Sequence, residues 1–186
     1  MSATPSPILQ ALRTETRPAH DALEQNAFNQ ALTAGTITEA ATVHFLAKMY
    51  GFLVPYEARL RQQNLGPEWE ANARQRAHLI LNDLQQPASA LAICPSPPPL
   101  ASWPQLLGAM YVLEGSTLGG QVIARQLAKQ HIAQRAYFSG YGERTGPRWQ
   151  AFCQLLAAAA TPANQAEIVQ SASLTFQHLS AWLNQP

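Results

Sequence analysis

From Ser102 to Leu127 the chain carries a sustained helical apolar pattern through Met110, Val112, Leu113, Leu118, Val122, Ile123 and Leu127. Ser102 stands where a cap is needed, with Pro104 in the first turn. A helix that long needs other helices to bury its apolar stripe, and the composition supplies them. Thirty-two alanines and nineteen glutamines are both good helix formers, and no stretch sustains period-2 alternation of β-branched and aromatic residues. The expected fold is all-α, a multi-helix bundle in a single domain covering residues 1–186.

About six helices are expected. The first covers roughly 8 to 29, with Leu9, Leu12, Thr16, His20, Leu23 and Ala27 on one face, and Pro18 must bend or break it. Residues 1–7 are expected to be disordered. Thr36-Ile37-Thr38-Glu39 has the spacing of a capping box and opens a second helix, lined by Val43, Leu46, Tyr50, Leu53 and Val54, that runs to about Leu65 and kinks at Pro55. A third runs from Trp69 to Leu84 with Ala73, Ala77, Ile80, Leu81 and Leu84 inward. Six prolines from Pro87 to Pro104 then enforce an extended loop over 87–103. After the long helix, two more open at Gly146-Pro147 and Thr161-Pro162.

Apolar residues make up 47% of the chain and charged ones 12%, with a net charge of +1. Disorder is excluded, and so is a partner held mainly through nucleic-acid phosphates. No run of eighteen apolar residues is long enough for a bilayer, and the first residues lack a signal-peptide pattern, so the expected compartment is the cytoplasm. Cys94 and Cys153 form no metal-type cluster and are expected to be reduced; Cys94-Pro95 lies in the Pro-rich loop.

Three features break local rules. Glu114-Gly115-Ser116-Thr117-Leu118-Gly119-Gly120-Gln121 places three glycines inside the strongest helix, each costing about 0.5–1 kcal/mol relative to alanine. Gly115 and Gly119 share one face, and Ser116 and Gly120 the next strip round. Close helix packing explains such a stripe, and so does a flat, bulky ligand lying against bare backbone. A phosphate loop does not, because no strand precedes the glycines and no Lys-Ser/Thr follows them. His20 is the second feature: it is either a core histidine or a ligand, with Arg13 and Arg17 seven and three residues before it and Glu24 at i+4, able to orient the ring. His44, His78, His131 and His178 form no HExxH or paired spacing. Arg144 and Arg148, one helical turn apart, are either solvated or a clamp for a carboxylate.

Taken together these residues resemble the heme oxygenase family. Leu12-Arg13-Thr14-Glu15-Thr16-Arg17-Pro18-Ala19-His20 resembles the family's first-helix motif, which ends on the histidine that ligates heme iron. Gly115-Ser116-Thr117-Leu118-Gly119-Gly120-Gln121 resembles the glycine-kinked distal helix that covers the other heme face, in the serine form associated with bacterial members. The stretch from Tyr141-Gly142 through Trp149 and Phe152 is most like heme oxygenases encoded beside bacteriophytochromes.

The resemblance implies that heme is substrate and cofactor at once, cleaved by dioxygen to biliverdin, carbon monoxide and ferrous iron. His20 would hold the iron and Glu24 its ring. Arg13, Arg144 and Arg148 would meet the propionates, with Arg17 as a helper and Tyr111 standing one position from the family's propionate tyrosine. Gly115, Gly119 and Gly120 would let heme and dioxygen approach the helix backbone, and Ser116 would anchor a water where mammalian members have an aspartate. An external electron donor, a ferredoxin or a reductase, is implied, since no flavin or nicotinamide fingerprint is present; a bacteriophytochrome apoprotein would be a recipient of product. Two rivals remain at this level: a heme-binding or heme-sensing protein of the same fold without turnover, and a heme-free relative with His20 as an ordinary residue. A di-metal carboxylate site is disfavoured, because Glu24, Glu57 and Glu114 lack Glu-x-x-His pairs.

Overall fold

The computed structural model describes residues 6–185, and within them every regular element is helical. The expectation of disorder over 1–7 falls mostly outside the described residues; Pro7 already belongs to a helix.

The region expected as one helix over 8–29 is three: α1 (Pro7–Glu15), α2 (Arg17–Glu24) and α3 (Ala27–Thr33). Pro18 has no N–H to continue α1, so the break falls at Thr16. Thr16 serves both sides of it: its hydroxyl and N–H both donate to Leu12 O, at 2.7 and 3.1 Å, and its carbonyl accepts His20 N at 2.9 Å. A second break comes at Asn26, whose side chain caps α3 by accepting from Asn29 N.

In α4 (Glu39–Arg61) the cap is Thr38, which accepts from Ala41 N at 3.1 Å. The expected Thr36–Glu39 box does not form; the Thr36 hydroxyl turns back to Ala31 O. Pro55 is accommodated inside α4. The third helix is shorter than expected. Pro67–Trp69 and Ala71–Arg74 are 3-10 turns, and only Ala77–Leu84 is α-helix, α5. Consequently Ala73 is exposed, while Arg74 and Arg76 are buried.

The Pro-rich loop is present as expected and is tied to α4 by Cys94 N donating to Gly51 O at 3.1 Å. Ser102 and Gln105 form a full capping box at the start of α6 (Trp103–Lys129). A short α7 (Ala136–Ser139), not anticipated, leads to a 3-10 turn at Gly142–Arg144, then α8 (Thr145–Ala159). The last helix, α9 (Gln165–Leu183), starts later than Thr161-Pro162 implies, because Asn164 Oδ1 accepts Thr161 N at 2.7 Å and shapes a turn first.

The main packing in the molecule is α6 on α9. It is close because Gly108 has no side chain: a Cβ there would meet Ile168 O at 2.5 Å and Ala172 N at 2.7 Å. With α9 and α6 locked, α2 lies against α9, which sets His20 beside Phe176 and across from the glycine stretch.

Candidate functional site

Between α2 and α6, closed at its ends by α8 and α9, lies an open cleft of about 370 Å³. His20 stands on one wall with its side chain 46% exposed, so it is not the core histidine that an apolar-face position suggests. Its ring rests edge-on against Phe176, centroids 5.5 Å apart. Nε2 lies 3.7 Å from Glu24 Oε1 and Nδ1 3.5 Å from Asp21 Oδ1, both beyond a good hydrogen bond but close enough to bias the ring's orientation.

The facing wall is α6, and Gly115, Ser116, Leu118 and Gly119 line it. The helix runs unbroken through all three glycines, so none of them terminates it. They do different work. A Cβ on Gly119 would meet nothing within 4 Å, which leaves backbone bare toward the cleft. On Gly115 it would sit 3.4 Å from the Trp149 ring. Gly120 points the other way, and a Cβ there would lie 2.6 Å from Phe138 O, so this glycine serves close packing on α7. Close packing thus accounts for Gly120, while Gly119 presents bare backbone to the cleft. Ser116 donates its hydroxyl proton to Leu113 O at 2.7 Å, leaving the oxygen's lone pairs for an incoming donor.

Arg13, Arg17 and Tyr111 also line the cleft. Arg17 is held at the rim by Asp21, with Nε 2.7 Å from Oδ1, and this pair keeps the Asp21 carboxyl below its usual range. Tyr111 leans on Trp149, and burial pushes its hydroxyl up. Arg144 and Arg148 do not join them. Arg144 is exposed at the end of its 3-10 turn. Arg148 is only 6% exposed, with Nη2 3.0 Å from Glu70 Oε2 and its guanidinium 4.1 Å above the Tyr141 ring. Its charge is spent inside the protein. Cys94, in the Pro-rich loop, is buried and lies outside the cleft lining.

Sequence reasoning missed Phe176 and Leu179, which α9 contributes to the cleft, because nothing marks them within an evenly apolar helix. It also missed a buried polar cluster behind α6. Arg74 Nη1 donates to Glu114 Oε2 at 2.6 Å, both side chains almost fully enclosed, and Tyr141 OH donates to the same carboxylate at 3.0 Å. Arg76 Nη2 donates to Leu113 O at 2.8 Å, and Glu57 Oε1 accepts the N–H groups of Arg76 and Ala77. The signal available was two arginines two residues apart in a segment read as an amphipathic helix.

The helical fold that carries this cleft matches proteins of known structure. Heme oxygenase from Leptospira interrogans superposes with a TM-score of 0.78, covering 95% of this chain and 98% of that one at 17% identity. The fold is that of the heme oxygenases. The Neisseria meningitidis enzyme, solved with NO and CO bound, gives 0.76 at 20% identity over 95% and 89% of the two chains. Heme oxygenase-1 of the cyanobacterium Synechocystis, solved in complex with heme, gives 0.74 at 17% identity over 95% and 90%. In sequence, the chain is 29% identical over 163 residues to a protein named heme oxygenase from Xanthomonas campestris, covering 83% of this chain and 95% of that one. No family model matches the chain.

The residues present fit heme. An imidazole is a normal iron ligand, the cleft walls are largely apolar, and the cations Arg13 and Arg17 line the cleft.

Proposed function

We propose that this protein is a heme oxygenase that binds heme between α2 and α6 and opens the macrocycle to biliverdin. The observation that carries this reading is the pairing of accessible His20 with the bare Gly119 backbone across one cleft, in the heme oxygenase fold. When bound, heme supplies the iron that activates dioxygen and is itself cleaved, giving biliverdin, carbon monoxide and ferrous iron, with electrons from outside.

The chain's own residues bind, orient and exclude. His20 would hold the metal through one ring nitrogen, and the carboxylate beside the other nitrogen, Asp21 at Nδ1 or Glu24 at Nε2, would orient the ring. Arg13 and Arg17, which line the cleft, would pair with the propionates and so orient the substrate. Gly115 and Gly119 leave space only along one part of the helix, and Leu118 closes the rest with an apolar surface. Ser116 donates its proton to Leu113 O, which leaves Oγ able to accept a hydrogen bond from a water on the distal side. Arg144 and Arg148 have no part in this account, given their positions. Gly120 supports the wall from behind.

The electron donor is a ferredoxin or a reductase, since the cleft is lined by no nucleotide-binding loop. The bacterial relative supports a bacterial setting, and the resemblance of the Tyr141–Phe152 stretch to heme oxygenases encoded beside bacteriophytochromes makes a bacteriophytochrome apoprotein the recipient of biliverdin in this reading. Among the described residues no helix is long and apolar enough to cross a membrane.

The test is to mix the protein with one equivalent of hemin, add ascorbate or a ferredoxin system under air with catalase, and follow the visible spectrum. Loss of the Soret band with growth of biliverdin absorption, absent in His20→Ala, is expected. A Soret band that persists under reductant would replace turnover with heme sensing, and no band at all would end the heme reading.

A further inference from the structure

Adjoining the heme cleft is a second cavity of about 110 Å³, bordered by α2, α3, α4, α6, α7 and α9. It shares Leu23, Asn29, Met49, Ser116, Ile123 and Leu179 with the heme cleft, and among its lining residues one is charged, Arg76. Arg76 is 3% exposed, and its Nε is buried without a hydrogen-bond partner. Its Nη2 donates to Leu113 O at 2.8 Å, the same oxygen that accepts the Ser116 hydroxyl at 2.7 Å. One carbonyl with two lone pairs therefore joins a buried guanidinium to the hydroxyl on the cleft wall.

We propose that Arg76 is a positioning residue for the distal side of the heme site, holding the Ser116 hydroxyl as an acceptor through the Leu113 carbonyl and sharing with it a water in the second cavity. The inference rests on the heme oxygenase reading. The shared carbonyl keeps the serine proton turned into the helix, so Oγ faces the cleft as an acceptor. The unpartnered Nε is a donor that a water in this cavity satisfies, and the volume is sufficient for water. Nearby carboxylates are committed elsewhere: Glu114 to Arg74 and Tyr141, Glu57 to two loop N–H groups. Tyr56 on α4, Tyr137 on α7 and Tyr141 before α8 also face the guanidinium, all kept protonated by burial. Arg76 is thus a buried positive charge joined to Ser116 through one carbonyl.

The experiment compares Arg76→Gln, Arg76→Lys, Ser116→Ala and the Arg76 variants combined with Ser116→Ala, each loaded with hemin. Soret titration, thermal unfolding, turnover, and the pH midpoint of the ferric complex's acid-to-alkaline spectral change are measured. Arg76→Gln should leave hemin affinity within about threefold, lower turnover about tenfold, and raise the alkaline midpoint by about half a pH unit or more, because removing a positive charge disfavours the deprotonated form. Arg76→Lys keeps the charge and should return the midpoint toward the parent value while turnover stays low. With Ser116→Ala present, either Arg76 substitution should change turnover no further. Multiplying effects in the double variants, or an unmoved midpoint with only the melting temperature lowered, would overturn the proposal. If Arg76→Gln does not fold, the Arg76→Lys and Ser116→Ala cycle decides alone. A parent protein without a Soret band would fail at the earlier reading instead.

Discussion

His20 reaches the cleft because Thr16 and Pro18 end one helix and begin another, turning the histidine out of the packed face that Leu12 and Thr16 occupy. Its side chain is 46% exposed, so His20→Ala removes little packing and should leave the melting temperature unchanged within about 0.5 kcal/mol of stability. The same variant should lose the Soret band of a histidine-ligated complex in hemin titration; a parent-like band would show that another residue holds the iron. Arg148 gives the opposite expectation. Its guanidinium lies between Glu70 and Tyr141 in the interior, so Arg148→Met should cost about 1–3 kcal/mol by chemical denaturation while hemin affinity stays near the parent value. A selective loss of hemin affinity would instead return Arg148 to the propionates. The sequence made Arg144 and Arg148 look like a clamp because spacing records which side chains share a helix face. It does not record that Glu70, in a left-handed turn far away in the chain, claims one of them first.

At the scale of one element, α6 carries opposed demands within six residues, and its glycines separate them. Gly119→Ala adds a methyl group where no atom lies within 4 Å, and alanine is the better helix former, so stability should rise by up to about 1 kcal/mol. The methyl enters the cleft, so turnover or the ratio of biliverdin isomers should change. Gly120→Ala places its Cβ 2.6 Å from a backbone oxygen of α7, which cannot move aside as a side chain can, and should cost about 1–3 kcal/mol in thermal melts. If the two substitutions destabilise equally, the division of labour assigned to them is wrong. The presence of α6, its Ser102 cap and its unusual glycines were all legible in the sequence, since they depend on local chemistry. Which glycine faces α7 was not, because α7 is a single turn of four residues whose position is fixed by Asp83 accepting the N–H groups of Ala136 and Tyr137. The same limit applied to Trp69–Leu84, where helical spacing was real but Glu70 in the left-handed region and the buried Arg74–Glu114 pair broke the helix into turns.

Across the whole molecule, the all-α class could be read from residue order, and the pairing of His20 with the glycine wall was implied by the resemblance of the two motifs to heme oxygenases. The buried charges behind the wall could not, because each is a match between segments distant in sequence: Arg74 with Glu114, Arg76 with Leu113, Arg148 with Glu70. This cluster also sets how the fold responds to alkali. Burial pushes the hydroxyls of Tyr56, Tyr137 and Tyr141 above the ordinary value of 10.0, and the Glu114 carboxylate adds to the effect at all three. Burial likewise pushes the Cys153 thiol up to about 11. In every case the folded state holds its proton more tightly than the unfolded chain. The stabilisation is therefore fully present below the unfolded values and is lost as pH rises through the folded ones. Melting temperature followed by circular dichroism should stay level to about pH 9, then fall steeply through pH 10–11 as the unfolded tyrosines ionise first. In Cys153→Ala the small thiol contribution disappears and the tyrosine-driven fall should persist. Tyr141→Phe should flatten the fall, at the cost of one hydrogen bond to Glu114 and a lower starting stability. A melting temperature that does not change between pH 9 and 11 would mean that these hydroxyls ionise in the folded protein as readily as in water, and that the cluster behind α6 is far more open to solvent than its geometry implies.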